Sequence, residues 1–264
     1  MSCSTAPNET RGFDLQDRLG QSRVLDEVLQ AVSRIREALD QGTVCLRLRE
    51  VAALLGCSSA AFATFLPVDP WHQSYRFILA CHPGWCAKYQ RLAWFADDPW
   101  LNYARTHMFP ARGSDIPCKS EKQTEIVALA RSYGVEASFI TPSPAGGGLF
   151  RLGVLMLGAS DARHFDVDDP TYAKLKSVSR IVCSELHDWM AGFLRHELLS
   201  AAKLTETDIS LLRHERAGLS SKEISRVEGI SQRAIDSRFQ RILGRLRVAS
   251  RRAAAQTAAE HGLL

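Results

Sequence analysis

No CxxC pair occurs among the seven cysteines, Cys3, Cys45, Cys57, Cys81, Cys86, Cys118 and Cys183. An odd, scattered set argues against a disulfide framework and is expected as reduced thiols, mostly buried as small apolar groups. Cys81, His82 and Cys86 cluster, but no second ligand pair with zinc-like spacing accompanies them, so no metal is expected. No apolar run approaches the roughly 20 residues of a membrane-spanning helix. The opening MSCSTAPNETRG has no apolar core of the kind an export signal needs, and is expected as a polar tail on a cytoplasmic protein. The glycines of PSPAGGG (142–148) are not followed by Gly-Lys-Ser/Thr, so a hairpin turn is expected there rather than a phosphate cradle. Eight histidines and 29 carboxylates form no recognisable acid/base or nucleophile arrangement, and no enzyme activity is expected. Repeats and low-complexity segments are absent as well.

What is present is an uneven distribution of charge. The formal net charge is +4, yet from residue 199 onward twelve Lys/Arg face seven Asp/Glu, whereas the first 198 residues hold 21 against 22. All the surplus positive charge sits in the last quarter, which suits a polyanionic partner contacted there. A solvated basic helix face gives the same composition. At 264 residues the chain exceeds the usual single-domain size, so one large and one small domain are expected.

The large domain opens with a helical period over 12–40, ended by Gly42, and a short helix over 46–55. Two strands, Ala61–Leu66 and Tyr75–Cys81, flank a turn at Pro67–Pro70. An aromatic-rich stretch over 83–106 reads as helix in two pieces, broken near Asp97-Asp98-Pro99. A helix over 120–132 stops at Gly134, strands Val135–Thr141 and Leu149–Leu157 follow, and a long helix covers 169–198. Strands that arrive in adjacent pairs imply an α/β domain: an antiparallel sheet between helices, an α-β-α sandwich.

In the basic segment, Thr205 with Asp208 and Ser220 with Glu223 have the spacing of capping boxes that start two helices. Gly218 ends the first, Gly229 permits a left-handed turn after the second, and Ser231 caps a third. On that third helix Ile235, Phe239, Ile242, Leu243 and Leu246 share one face. At about 100° per residue, Arg233, Ser237, Gln240, Arg241 and Gly244 lie opposite. An apolar face turned inward and a face of guanine- and phosphate-reaching groups turned outward describe a helix-turn-helix for the major groove of double-stranded DNA. Arg245, Arg247, Arg251 and Arg252 extend the positive surface. Asp236 sits toward the core edge, where it can orient a neighbouring arginine. The other reading is an all-α interaction domain with an arginine-rich surface.

Leu204, Thr205, Asp208, Leu212, Gly218, Glu223, Ile224, Ile230, Ser231, Gly262 and Leu263 also match, in order, the pattern of the C-terminal domain of the LuxR family, which this segment resembles over about 60 residues. Arg238 stands where many members have His. The segment HPGWCAKYQRLAWFADDPWLNYA resembles the autoinducer-binding domain of the quorum-sensing members through Trp85, Tyr89, Asp98 and Pro99. The resemblance implies division into a sensory domain (1–196), a linker (197–203) and a DNA-binding domain (204–264), in a homodimer that reads paired half-sites. It also implies a small signal such as an N-acyl homoserine lactone, with no other cofactor. Trp85 would donate to a lactone carbonyl, Asp98 accept from an amide, and Tyr89 shape the wall. Cys81 stands where members carry a ligand-bonding Tyr, and Ser138 where they have Gly before a strand. Gly113 replaces a pocket Trp, and the Ser/Thr expected near Arg151–Gly153 is replaced. Those departures leave open a ligand-independent regulator, or an anti-activator that works by heterodimerisation.

Overall fold

A computed structural model describes residues 15–69, 72–144 and 152–264. Helices α1 (Leu15–Gly20), α2 (Ser22–Ser33) and α3 (Gln41–Leu54) lead into a hairpin of β1 (Ser59–Asp69) and β2 (His72–Ala80). Then come α4 (Pro83–Arg91), α5 (Pro99–Thr106), the two-residue β3 (Ala111–Arg112), α6 (Glu121–Ser132), β4 (Ala137–Pro144) and β5 (Leu152–Ala159). The long α7 (Asp169–Ala202) leads to α8 (Glu206–Arg216), α9 (Ser221–Glu228), α10 (Gln232–Leu246) and α11 (Arg251–Glu260).

The five strands form one antiparallel sheet in the order β2-β1-β5-β4-β3. Its two faces are sorted by strand alternation. Phe62, Phe139, Leu155 and Leu157 point into a core built with α1, α2, α3 and α7. Ala63, Ile140, Val154 and Met156 point the other way, into an aromatic core with α4, α5 and α6. Helices therefore cover both faces, as the paired strands imply.

Several boundaries differ from the sequence expectation. The helix expected over 12–40 is cut after Ser33 by a 3-10 turn, and α3 starts at Gln41 because the Asp40 side chain accepts from the Thr43 N–H. Gly42 lies in that first turn and does not end a helix. β1 runs on through Pro67 to Asp69, opposite Gln73 and His72. Pairing of β1 with β5 stops at Thr64, so Pro67 sits where the strand has one neighbour and its missing N–H breaks no central ladder. The PSPAGGG turn falls mainly on 145–151, outside the described residues, as do Cys3 and the polar N-terminal tail. Neither β3 nor α11 has a signal in the sequence reading.

α7 has 34 residues, a rod of about 51 Å at 1.5 Å per residue. Asp168 caps its start through the Thr171 N–H, and it ends only at Lys203, in the left-handed region (φ 48°). Residues 197–202 are thus helical. Leu198 and Leu199 of α7 pack against the third core, in which α8 to α11 bury Leu211, Leu212, Ile224, Ile235, Phe239 and Ile242.

Candidate ligand cavity and nucleic-acid interface

Asp98 does two jobs in one place. Its Oδ1 accepts from the N–H of Trp100 (2.7 Å) and of Leu101 (3.1 Å), which caps α5 with Pro99 in the first turn. Its Oδ2 accepts from the Tyr89 hydroxyl at 2.6 Å. Burial raises the carboxyl pKa against the pull of those donors, and burial with the nearby Asp98 raises Tyr89, so the phenol keeps its proton.

Tyr89 and Trp85 lie one turn apart on α4, rings 5.0 Å apart, with Phe77 edge-on to Tyr89 at 6.3 Å. The Trp85 indole N–H is buried and donates to nothing among the described residues. An unpaired buried N–H costs about 1–3 kcal/mol, so it marks a place where an acceptor is wanted. Together Trp85, Tyr89 and Asp98 line a narrow, apolar cavity of about 40 Å³. Ala61, Ala63, Phe77, Leu79, Val154 and Met156 complete it from β1, β2 and β5. Trp100 and Leu101 close it from α5. These walls are not among the residues expected at the ligand. Period-two alternation in the strands was the available signal, and the residues after Asp98 were hidden by its role as a helix start.

Cys81 and Ser138 do not join the cavity lining. Cys81 falls one residue past the end of β2 and packs at the edge of the aromatic core, its thiol donating to Cys86. Ser138 shares the inner face of β4 with Ile140 but lies nearer the sheet edge. It lines a second cavity across Trp100, beside Gly113. The expected lining role of both is corrected by position along the sheet. Gly153, paired with Thr64, is packed against Phe62 and His187. Arg151 lies outside the described residues.

Cys86, by contrast, does line the first cavity, and the Cys81 hydrogen bond holds its thiol below the usual range. Burial pushes Cys57 and Cys183 up to about 12. Iodoacetamide at neutral pH is therefore expected to alkylate Cys86 well before Cys57 and Cys183, as peptide mapping by mass spectrometry would read. Equal labelling of the three would contradict that ordering.

In the C-terminal domain both capping boxes form: Thr205 with Asp208, and Ser220 with Glu223. Gly229 closes α9 at φ +69°. Gly262 lies at φ +64°, a left-handed conformation that glycine adopts without strain. On α10, Ile235, Phe239 and Ile242 are fully buried, while Arg233, Ser237, Gln240, Arg241 and Gly244 are exposed. Among the described residues neither Arg233 nor Arg241 has an ion-pair partner. Arg238 is half-buried, near enough to Glu228 to help lower its pKa.

Arg245 is turned elsewhere: its guanidinium donates to the Lys203 carbonyl at 3.0 Å and to Asp208 at 3.3 Å. It ties α10 to the end of α7 and the start of α8, a role within the fold beside the DNA contact expected of it. Arg251 lies over Phe239 (4.3 Å) and donates to Asp236 at 2.7 Å, the arginine that Asp236 orients.

The autoinducer-binding domain model matches residues 40–185, more than half of the chain, and the model for bacterial regulatory proteins of the luxR family matches residues 202–258. The chain belongs to the LuxR family. It is a DNA-binding transcriptional regulator of the quorum-sensing type, with a sensory α/β domain and a helix-turn-helix. Among solved structures this LuxR-type regulator is similar to Escherichia coli SdiA (TM-score 0.69, 16% identity, 90% of this chain and 98% of that one). SdiA in complex with octanoyl-rac-glycerol aligns equally well (TM-score 0.70, 16% identity, 92% and 97%). CepR2 of Burkholderia cenocepacia, an N-acylhomoserine lactone dependent transcription factor, matches over 64% of this chain and 93% of its own (TM-score 0.51, 14% identity). These likenesses concern the fold. No curated protein sequence matches the LuxR-type chain. No helix of the described residues is long and apolar enough to cross a membrane.

Proposed function

We propose that the cavity between α4, α5 and the sheet takes a small amphipathic signal of the N-acyl homoserine lactone kind, and that its occupancy sets the activity of the helix-turn-helix. The observation that carries this reading is the buried Trp85 N–H, unpaired among the described residues, in an apolar cavity beside Asp98. A ligand carbonyl would satisfy Trp85, and Asp98 keeps lone pairs for an amide N–H after accepting from Tyr89. The strand side chains from β1, β2 and β5 would hold an acyl chain. Members of the fold accept acyl chains with different heads, since CepR2 depends on an N-acylhomoserine lactone and SdiA holds octanoyl-rac-glycerol.

About 40 Å³ is far below the roughly 300–1,000 Å³ of a ligand site, so entry requires walls to move, Trp100 first among them. That narrowness favours the second reading, a ligand-independent regulator or anti-activator that pairs with another protein. Thermal melting of the full chain with a panel of acyl-homoserine lactones and octanoylglycerol separates the two. We expect a saturable rise in melting temperature for at least one member. A melting temperature unmoved by every member would reject this ligand class. Trp85→Phe sharpens the test: it removes an unpaired buried donor, so the ligand-free variant should melt no lower than the parent. Its ligand-induced rise should nevertheless shrink, with affinity down about tenfold. An undiminished rise would remove Trp85 from the site.

Residues 1–196 then act as the sensory domain and 204–264 as the DNA-binding domain, joined by the helical turn at 197–203. Arg233, Ser237, Gln240 and Arg241 would meet base edges and phosphates, with Arg238 near the backbone. A homodimer on paired half-sites supplies the affinity one short helix lacks. Exposed Leu39 and Ile181, with the half-buried Phe193 of α7, offer apolar surface for it. The protein works in the cytoplasm, where its DNA is, and performs no catalysis.

A further inference from the structure

Helix α4 starts at a cap of its own. His82 Nδ1 accepts from the Gly84 N–H at 3.1 Å, and Pro83 follows as the first helical residue. Cys81 is therefore the residue before the cap, and Cys86 is the fourth of the helix. Side chains at those two positions meet at a helix start, where an apolar pair commonly forms a staple. Here the staple is a pair of thiols, with Cys81 donating to Cys86. Both are partly buried at the edge of the aromatic core, and Cys86 also lines the signal cavity beside Trp85.

The remaining thiols are placed differently. Cys45 on α3 lies near Cys81 but is committed, donating to the Leu79 carbonyl at 3.2 Å. Cys57 and Cys183 are buried in the opposite core. Cys118 is exposed, with no thiol partner among the described residues. Within the staple the two thiols are not equivalent. The hydrogen bond from Cys81 holds Cys86 down, while the same bond and burial hold Cys81 up. The proton stays on Cys81, and Cys86 is the one that ionises to the nucleophilic form.

We propose that Cys81 and Cys86 are a redox-sensitive pair, which hydrogen peroxide converts into a disulfide across the start of α4. The Cys86 sulfur attacks one peroxide oxygen, so that an S–O bond forms and the O–O bond breaks. The departing hydroxide takes up the proton that Cys86 lost and leaves as water. Cys86 is then a sulfenic acid without negative charge, and Cys81 is free to release its own proton. The Cys81 sulfur attacks the Cys86 sulfur, the S–S bond forms, the S–O bond breaks, and a second water leaves. Two electrons pass from the thiols to the peroxide. A disulfide brings the sulfurs to about 2 Å, which draws Cys86 from the cavity wall toward the end of β2. Trp85, its neighbour on α4, moves with it. The chemistry is independent of the acyl-signal reading, since it needs no ligand in the cavity.

The test treats the full chain, reduced and then freed of reductant, with hydrogen peroxide, alkylates the remaining thiols and digests with trypsin. Residues 77–88 form one tryptic peptide that holds both cysteines and no others. That peptide is expected unalkylated and two hydrogens lighter than the dithiol, at a peroxide concentration at least about tenfold below that which oxidises Cys118. Dithiothreitol should reverse the change. Cys81→Ser should leave a sulfenic acid on Cys86 that dimedone traps, Cys86→Ser should leave Cys81 reduced, and Cys45→Ser should change nothing. The proposal is overturned if the peptide keeps both thiols while Cys118 is oxidised. It is equally overturned if Cys81 is cross-linked to the Cys45 peptide instead, or if Cys81 oxidises as readily in Cys86→Ser. The masses of the parent's peptide decide even where a serine variant fails to fold.

Discussion

Replacement of Arg233 and Arg241 together with alanine is expected to weaken binding to a selected duplex on the order of 10³-fold, at about 1–3 kcal/mol per arginine and with both half-sites affected. The two guanidiniums stand exposed on the face of α10 opposite Ile235, Phe239 and Ile242, and no carboxylate of the described residues pairs with them. Where they meet phosphates, the slope of log affinity against log salt should fall as well. Arg245→Ala provides the contrast. That side chain bridges the Lys203 carbonyl and Asp208, so its loss should lower the melting temperature and leave DNA affinity within about threefold. Fluorescence anisotropy with a duplex enriched from a randomised pool by the parent protein reads both. Equal affinity for the Arg233/Arg241 variant and the parent would mean that another face of the domain meets the duplex.

The contrast between Arg241 and Arg245 also shows where sequence reasoning stops. Both are arginines on one helix, four residues apart, and projection on a wheel places them on neighbouring parts of one surface. Only the third dimension brings the end of α7 and the N-cap of α8 against Arg245. Local chemistry was readable throughout this domain, because capping boxes and helix-ending glycines depend on residues three or four apart. The helix start at Asp98-Pro99 was readable for the same reason. The sheet was readable as pairs of strands, but not the two-residue β3, which is held by its neighbour β4 and has no pattern of its own. Part of the signal cavity escaped notice because β5 meets β1 only through long-range pairing. Ser138 was expected at the ligand only through the family resemblance, and it lies toward the start of β4, away from the cavity, a position along the strand that strand alternation does not report.

α7 bears on how one domain informs the other. Its N-terminal turns bury Leu175, Val178, Val182 and Leu186 under the sheet, and its C-terminal turns reach the helix-turn-helix core through Leu198 and Leu199. Two cores thus share one uninterrupted backbone. A ligand that repacks the sensory core can act on the orientation of the DNA-binding domain only by tilting or unwinding this rod. Differential interaction with two arrangements of α7 is what a signal would need in order to switch the protein.

Gly113→Trp is expected to destabilise the protein by about 2–3 kcal/mol, and Ser138→Gly to restore most of that loss when the two are combined. The family resemblance of the sequence leads one to expect Trp and Gly at these places, whereas here the order is Gly and Ser. The geometry makes the two departures one event. A Cβ at position 113 would lie 2.0 Å from Ser138 Oγ and 3.3 Å from Ser138 Cβ, so both positions cannot carry side chains in their present places. The backbone of Gly113 is not in the left-handed region, so the strain is one of packing and not of conformation. Rotation of the Ser138 hydroxyl relieves a methyl group at 113, and Gly113→Ala should cost only about 1 kcal/mol, whereas an indole must also displace Trp100 or fill the second cavity. Denaturant melts of the two single variants and the double variant give the coupling free energy directly. A value near zero would mean that the exchange at 113 and 138 is coincidental, and that the wall between the two cavities is shaped by something other than this pair.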